Sequence, residues 1–225
     1  MTTRQLALDL EHRPALGADD FLVAASNADA VDWIDRFPEW PSPVLTIAGP
    51  AGAGKTHLTK VFLSISGAEE IILDETAELA SEWPDAPAIA IDGADRVCGN
   101  AASEESLFHL YNDALSSGRR ILLTAASPPA RWPINLPDLA SRLRASAVAT
   151  IGPPDDSLLI TVMAKQFADR QMNVDDDVLR YAATRLERSF SAVRRFVTAI
   201  DKYSMESKRR VTVPLARDVL SSYLD

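Results

Sequence analysis

Gly49-Pro50-Ala51-Gly52-Ala53-Gly54-Lys55-Thr56 follows the apolar run Val44-Leu45-Thr46-Ile47-Ala48. A strand, a glycine-rich turn and a helix start form the context that a phosphate-binding P-loop requires. Gly49, Gly52 and Gly54 permit backbone geometries that a side chain blocks, so consecutive N–H groups can point at phosphate oxygens. Lys55 brings positive charge to the β- and γ-phosphates, and the Thr56 hydroxyl suits Mg²⁺. The helix that begins near Lys55 adds the positive end of its dipole. The stretch therefore predicts a bound nucleoside triphosphate or diphosphate.

Outward from this motif, strands and helices alternate. Strand-like runs at Val44–Ala48, Ile71–Leu73, Ala88–Ile91, Ile121–Thr124 and Ala147–Ile151 are separated by helical patterns at 55–64 and 104–117. Upstream, Asn27 is placed to cap a helix through Phe37, with Val31, Ile34 and Phe37 as its apolar stripe. Such alternation implies a parallel five-stranded sheet with crossover helices. Pro153-Pro154 marks a boundary, beyond which the periodicity is helical at 155–171, 175–187 and 191–205, with a last short helix opened by Pro214. The expected organisation is a tail over residues 1–15, an α/β nucleotide-binding domain over 16–152 and a small helical lid over 153–225.

Bulk numbers narrow the function. The 225 residues are 47% hydrophobic and 24% charged, with a formal net charge of −9. That acidity argues against broad electrostatic binding to DNA or anionic membranes. The single cysteine, Cys98, excludes an internal disulfide and cannot build a zinc site alone. With no apolar run of membrane-spanning length and no leader-like N-terminus, a cytoplasmic location is expected.

Further candidates follow from position. Asp92 ends the apolar strand Ala88-Ile89-Ala90-Ile91, where a carboxylate faces Mg²⁺; the same residue also reads as an ordinary loop-start acid. The next position, which carries a water-polarising acid in active ATPases of this kind, is Gly93. Asp95 is expected to point elsewhere. After the strand Ile121-Leu122-Leu123, Thr124 and Ser127 are the polar candidates for sensing a γ-phosphate, because Ala125 and Ala126 are apolar; a plain core strand fits equally. Arg142, in Leu136-Pro137-Asp138-Leu139-Ala140-Ser141-Arg142-Leu143, can project from the domain edge toward a neighbour's nucleotide or can be an ordinary surface residue. Arg194 and Arg195 open a lid helix, either folding back on the phosphates or forming a solvated face. Gln5-Leu6-Ala7-Leu8-Asp9-Leu10 alternates as an edge strand does, or as a short docking peptide does.

Taken together, these segments resemble the AAA+ domain of the bacterial replication initiator DnaA, and more closely the short DnaA-related family of the Hda type, the regulatory inactivators of DnaA. Asp20-Phe21-Leu22-Val23 with Ser26-Asn27, Gly54-Lys55-Thr56-His57-Leu58, Ser141-Arg142-Leu143, Pro153-Pro154 and Val193-Arg194 carry the likeness, which spans nearly the whole chain. The resemblance implies that Asp20, Phe21, Leu22 and Asn27 lie against an adenine. It implies that Pro50, Ala51, Gly52, Ala53, Gly54, Lys55, Thr56, His57 and Arg194 hold ADP or ATP, and that Thr56 and Asp92 hold Mg²⁺. It makes Arg142 a finger acting on a partner's nucleotide, and Gln5, Leu6, Leu8 and Leu10 a peptide for the sliding clamp of DNA polymerase III. The implied partners are the DnaA AAA+ domain, the clamp and a second copy of the chain. The chain stops at Asp225, where DnaA continues into a helix-turn-helix domain, so no direct sequence-specific DNA binding is expected. Gly93 and Ala126 depart from DnaA at acidic positions, and Asp138 stands where DnaA has a further arginine. A chain that holds ADP and performs little chemistry of its own is the implied result. The alternative is a self-sufficient AAA+ ATPase acting as a helicase loader or remodeller.

Overall fold

Val44–Ala48 (β1) and Ala88–Ile91 (β3) are buried along their whole length, which is why they read as unbroken apolar runs rather than alternating ones. In a computed structural model, which describes residues 22–73, 79, 82–207 and 210–221, they join Glu69–Ile71 (β2), Arg120–Ala125 (β4) and Ala147–Thr150 (β5). The five strands form one sheet in the order β2-β3-β4-β1-β5, every pairing parallel. The registers Val44↔Ile121, Leu45↔Ala147 and Ile89↔Ile121 bring the C-terminal ends of β1, β3 and β4 to one edge. Parallel sheets collect ligand-binding loops at that edge.

The chain divides into two compact units, one of residues 1–48 and 55–151, the other of 49–54 and 152–225. The first unit contains the sheet with Ala28–Asp35 (α1), Lys55–Ser66 (α2), Ala101–Ser117 (α3) and Pro137–Ala145 (α4). Ile89, Leu107, Leu110, Ile121, Leu123 and Leu139 are at most 1% exposed in its core. A separate aromatic group, Phe37, Trp40 and Phe62, packs with centroids 5.3–5.8 Å apart. The second unit holds Asp156–Asp169 (α5), Asp176–Ala183 (α6), Phe190–Ser207 (α7) and Val213–Ser221 (α8). Phe167 and Phe196 meet edge to face at its centre, 6.4 Å between centroids.

Several boundaries differ from the periodicity reading, for local reasons. The helix α1 ends at Asp35, not Phe37: Phe37 N–H turns to the Ile34 carbonyl in a tighter final turn. Asn27 does precede α1 but makes no capping bond; its Oδ1 accepts from Ala24 N–H and its Nδ2 donates to the Leu22 carbonyl. The helix α3 starts three residues early because Asn100 caps it, accepting from Ser103 N–H at 3.1 Å. The strand β2 falls on Glu69–Ile71, so Leu73 is buried beyond its end. Among the described residues, no helix is long and apolar enough to cross a membrane.

Candidate functional site

Lys55 and Thr56 begin α2 directly after the glycine turn. Thr56 Oγ1 donates to Asp92 Oδ2 at 2.7 Å, and Thr124 Oγ1 donates to Asp92 Oδ1. Thr124 Oγ1 in turn accepts from Gly93 N–H at 3.1 Å. The ends of α2, β3 and β4 are thereby tied through one carboxylate. Thr124 is fully buried, so its hydroxyl is a fixed part of this network. The polar residue at that place in the strand reads from sequence; its grip on Asp92 does not.

Lys55 is half-buried. Desolvation holds its ammonium below the usual lysine range, against the pull of Asp92 and Asp95. Asp92 and Asp95 both act on the ammonium that the P-loop presents. Asp95 is thus not turned away, as the end of the strand suggested. Gly93 adopts φ +74°, and the 3-10 turn Ala94–Val97 that follows swings position 95 back, where its Oδ2 accepts from Ala126 N–H at 3.1 Å. A glycine followed two residues later by an acid was the available signal.

Gly52 and Gly54 have φ of +71° and +101°, the left-handed backbone that lets successive N–H groups line a phosphate cradle. Within the second unit, Gly52 lies against the start of α7. Its carbonyl accepts from Phe190 N–H at 2.9 Å, and a Cβ built on it meets Ser191 Oγ at 2.8 Å. The Phe190 ring approaches a Cβ built on Gly54 to 3.2 Å. Ser189 and Phe190 were not picked out from sequence, since neither carries a charge or a motif. Arg194 is exposed on α7, and Arg195 lies 3.7 Å from Glu187.

The donor set fits the groups that the P-loop implies. Mg²⁺ at a nucleotide takes few protein oxygens, the rest coming from phosphates and water. The Thr56 hydroxyl and the Asp92 carboxylate already meet, which is that minimal set. Among the described residues, no cluster of three or more His, Cys, Asp or Glu side chains offers a self-contained metal site. Burial pushes the Cys98 thiol up to about 12, so it is no nucleophile near neutral pH.

Arg142 has partners within its own unit. It is half-buried on α4, donating from Nη1 to Asn112 Oδ1 at 2.7 Å, with its guanidinium 4.9 Å from the Phe108 ring and 5.3 Å from Tyr111. The start of α4 is set by Glu104, whose buried carboxylate accepts from Asn135 N–H and Leu136 N–H, and also from Gly99 N–H. Burial raises the Glu104 pKa, but these three donors outweigh it and hold the acid below its ordinary range. Arg144, two residues on along α4, is exposed and lines an open cleft of about 630 Å³ with Ile134, Pro137 and Ser141. Of the other expected site residues, Leu22 offers its carbonyl to Asn27, and Pro50, Ala51, Ala53 and His57 keep their places in the loop and the first turn of α2. Gln5, Leu6, Leu8, Leu10, Asp20 and Phe21 lie outside the described residues.

Comparison with known proteins places this geometry. Residues 156–220 match the family model described as Hda, lid domain. Domain III of the replication initiation protein DnaA from Thermotoga maritima is similar with a TM-score of 0.78 and 19% identity, over 93% of this chain and 97% of that one. AMPPCP-bound DnaA from Aquifex aeolicus gives 0.70 and 14%, over 84% and 66%. The RuvB Holliday junction branch migration motor of Thermotoga maritima gives 0.63 and 17%, over 88% and 66%. The chain shares the fold of DnaA domain III, and its residues 156–220 match the Hda lid family.

Proposed function

We propose that this protein is a DnaA-related regulator of replication initiation, which binds ADP or ATP with Mg²⁺ and stimulates hydrolysis of the ATP held by DnaA. The observation that carries the reading is the Hda lid match on a DnaA-type fold. AMPPCP in the similar DnaA structure supports an adenine nucleotide here, on Gly52, Gly54, Lys55 and Thr56. Asp20, Phe21, Leu22 and Asn27 flank the base, and Arg194 answers the phosphates. Bound Mg²⁺, on Thr56 and Asp92, neutralises phosphate charge. Arg142 supplies a guanidinium to DnaA's nucleotide, and an arginine delivered in trans accelerates phosphoryl transfer by about 10³–10⁵-fold. Gln5, Leu6, Leu8 and Leu10 dock the chain on the sliding clamp, each buried leucine contributing about 1.5–3 kcal/mol before ordering costs.

The test uses purified components: ATP-bound DnaA, the chain, and clamp loaded on DNA. Hydrolysis that appears only in the full mixture, and is lost with Arg142→Ala or Leu6→Ala, is the expected result. Stimulation that survives Arg142→Ala overturns the finger assignment. The second reading, an ATPase acting by itself as loader or remodeller, is favoured by one observation, the return of Asp95 to the side of Lys55. Rapid steady-state turnover by the chain alone would select it.

A further inference from the structure

Position 93 has no side chain, yet the turn it makes is not a simple loss. Gly93 has φ +74°, and a Cβ there would stand 3.2 Å from Arg96 Cδ. An acid at 93 would be strained in this backbone. The conformation that excludes it is the one that bends Ala94–Val97 into a 3-10 turn and returns Asp95 to the end of β4. There Ala126 N–H fixes Asp95 Oδ2 at 3.1 Å. Asp92 is already engaged, its two oxygens accepting from Thr56 and Thr124 in the network that ties α2 to β4. Asp95 is therefore a second carboxylate beside the P-loop lysine, held by one oxygen, with Oδ1 left as an acceptor.

We propose that Asp95 takes over the task that position 93 lacks: it orients the water that slowly hydrolyses ATP bound on this chain's own P-loop, so that the protein generates the ADP it then holds. This rests on the nucleotide-binding reading above. In the step, the water oxygen forms a bond to the γ-phosphorus while the bond from that phosphorus to the β–γ bridging oxygen breaks. The electron pair leaves with ADP, and the water proton passes through Asp95 Oδ1 to solvent or phosphate. The step is slow because the carboxylate stands two residues beyond position 93, on a turn rather than at a strand end, with one of its oxygens engaged by backbone.

Asp95→Asn tests the assignment, because an amide oxygen can still accept from Ala126 N–H while the charge is lost. Three measurements on the full chain separate the outcomes. Fluorescent ADP titration sets each variant's nucleotide affinity, the reference against which the other two readouts are compared. Affinity for ADP with aluminium fluoride, which mimics the in-line water, should fall about tenfold while affinity for ADP with beryllium fluoride holds. Single-turnover hydrolysis of bound ATP should fall about 10²-fold. Gly93→Ala, which disturbs the turn and leaves Asp95 in place chemically, should reproduce the loss. Equal hydrolysis by wild type and Asp95→Asn, or an unchanged aluminium fluoride affinity, overturns the proposal with nucleotide binding intact. Failure of wild type to bind fluorescent ADP at all overturns the nucleotide-binding reading as well.

Discussion

Replacing Glu104 with alanine removes one carboxylate and strands three backbone donors. Gly99 N–H lies 2.7 Å from Glu104 Oε1, while Asn135 N–H and Leu136 N–H lie 2.9 and 2.8 Å from Oε2. A hydrogen bond to a charged group contributes about 1.5–3 kcal/mol in deletion experiments, and a full sum would be about 4.5–9 kcal/mol. Gly99 and Asn135 are exposed residues, so water can re-pair two of the three donors. The carboxylate's own desolvation, relieved on deletion, subtracts further. The expected loss is about 3 kcal/mol for Glu104→Ala and about half that for Glu104→Gln, which keeps an acceptor but no charge. Urea unfolding is the assay, followed by tryptophan fluorescence. All four tryptophans, at 33, 40, 83 and 132, belong to the first unit, so the signal reports that unit alone. With a slope of about 2–3 kcal/mol/M for a chain of this size, the midpoint should fall by roughly 1 M. The sign with pH follows from the depressed pKa. The contribution is present above the unfolded value of 4.5 and lost as pH falls through the lower folded value, so the gap between wild type and Glu104→Ala narrows in acid. A loss under about 1 kcal/mol, or a gap that widens in acid, would refute the claim that this carboxylate organises the loop before α4.

Three other outcomes follow from single contacts. Asn112→Ala removes the partner of Arg142 and should lower stability by about 1 kcal/mol, with a several-fold fall in stimulation of DnaA hydrolysis as the guanidinium loses its orientation. Gly52→Ala places a Cβ against Ser189 and Ser191 at φ +71°; a fluorescent-nucleotide titration should show affinity at least tenfold weaker, a fall of about 1.4 kcal/mol or more. Asp155→Ala removes the cap of α5, whose carboxylate accepts from Leu158 N–H at 2.8 Å; thermal melting by circular dichroism should register about 1 kcal/mol at neutral pH. The Leu158 N–H and the Ser157 hydroxyl hold the Asp155 carboxyl below its ordinary range, so that difference should fade as pH drops through the lowered value.

Sequence alone determined the α/β class and the central strands β1, β3 and β4, because a strand covered on both faces must be apolar; the edge strand β2, polar and exposed at Glu69 and Glu70, lies earlier than the apolar run 71–73 suggests. It also determined the phosphate loop, since Gly52, Gly54, Lys55 and Thr56 act through neighbours in the chain. Helix boundaries were less legible wherever a side chain such as Asn27 or Asn100 chose between capping and turn bonding. What only tertiary structure decided lies in contacts between residues distant in sequence. Thr56, Asp92 and Thr124 form one network across 36 and 32 residues, and Asp95 meets Ala126 across 31. Glu104 reaches Leu136 across 32 residues, and Arg142 reaches Asn112 across 30. A carboxylate or guanidinium has the same local signature on a surface as in such a network. Packing settles which it is: the sheet brings the ends of β3 and β4 to the start of α2, and α3 against α4 brings Glu104 and Asn112 to their partners.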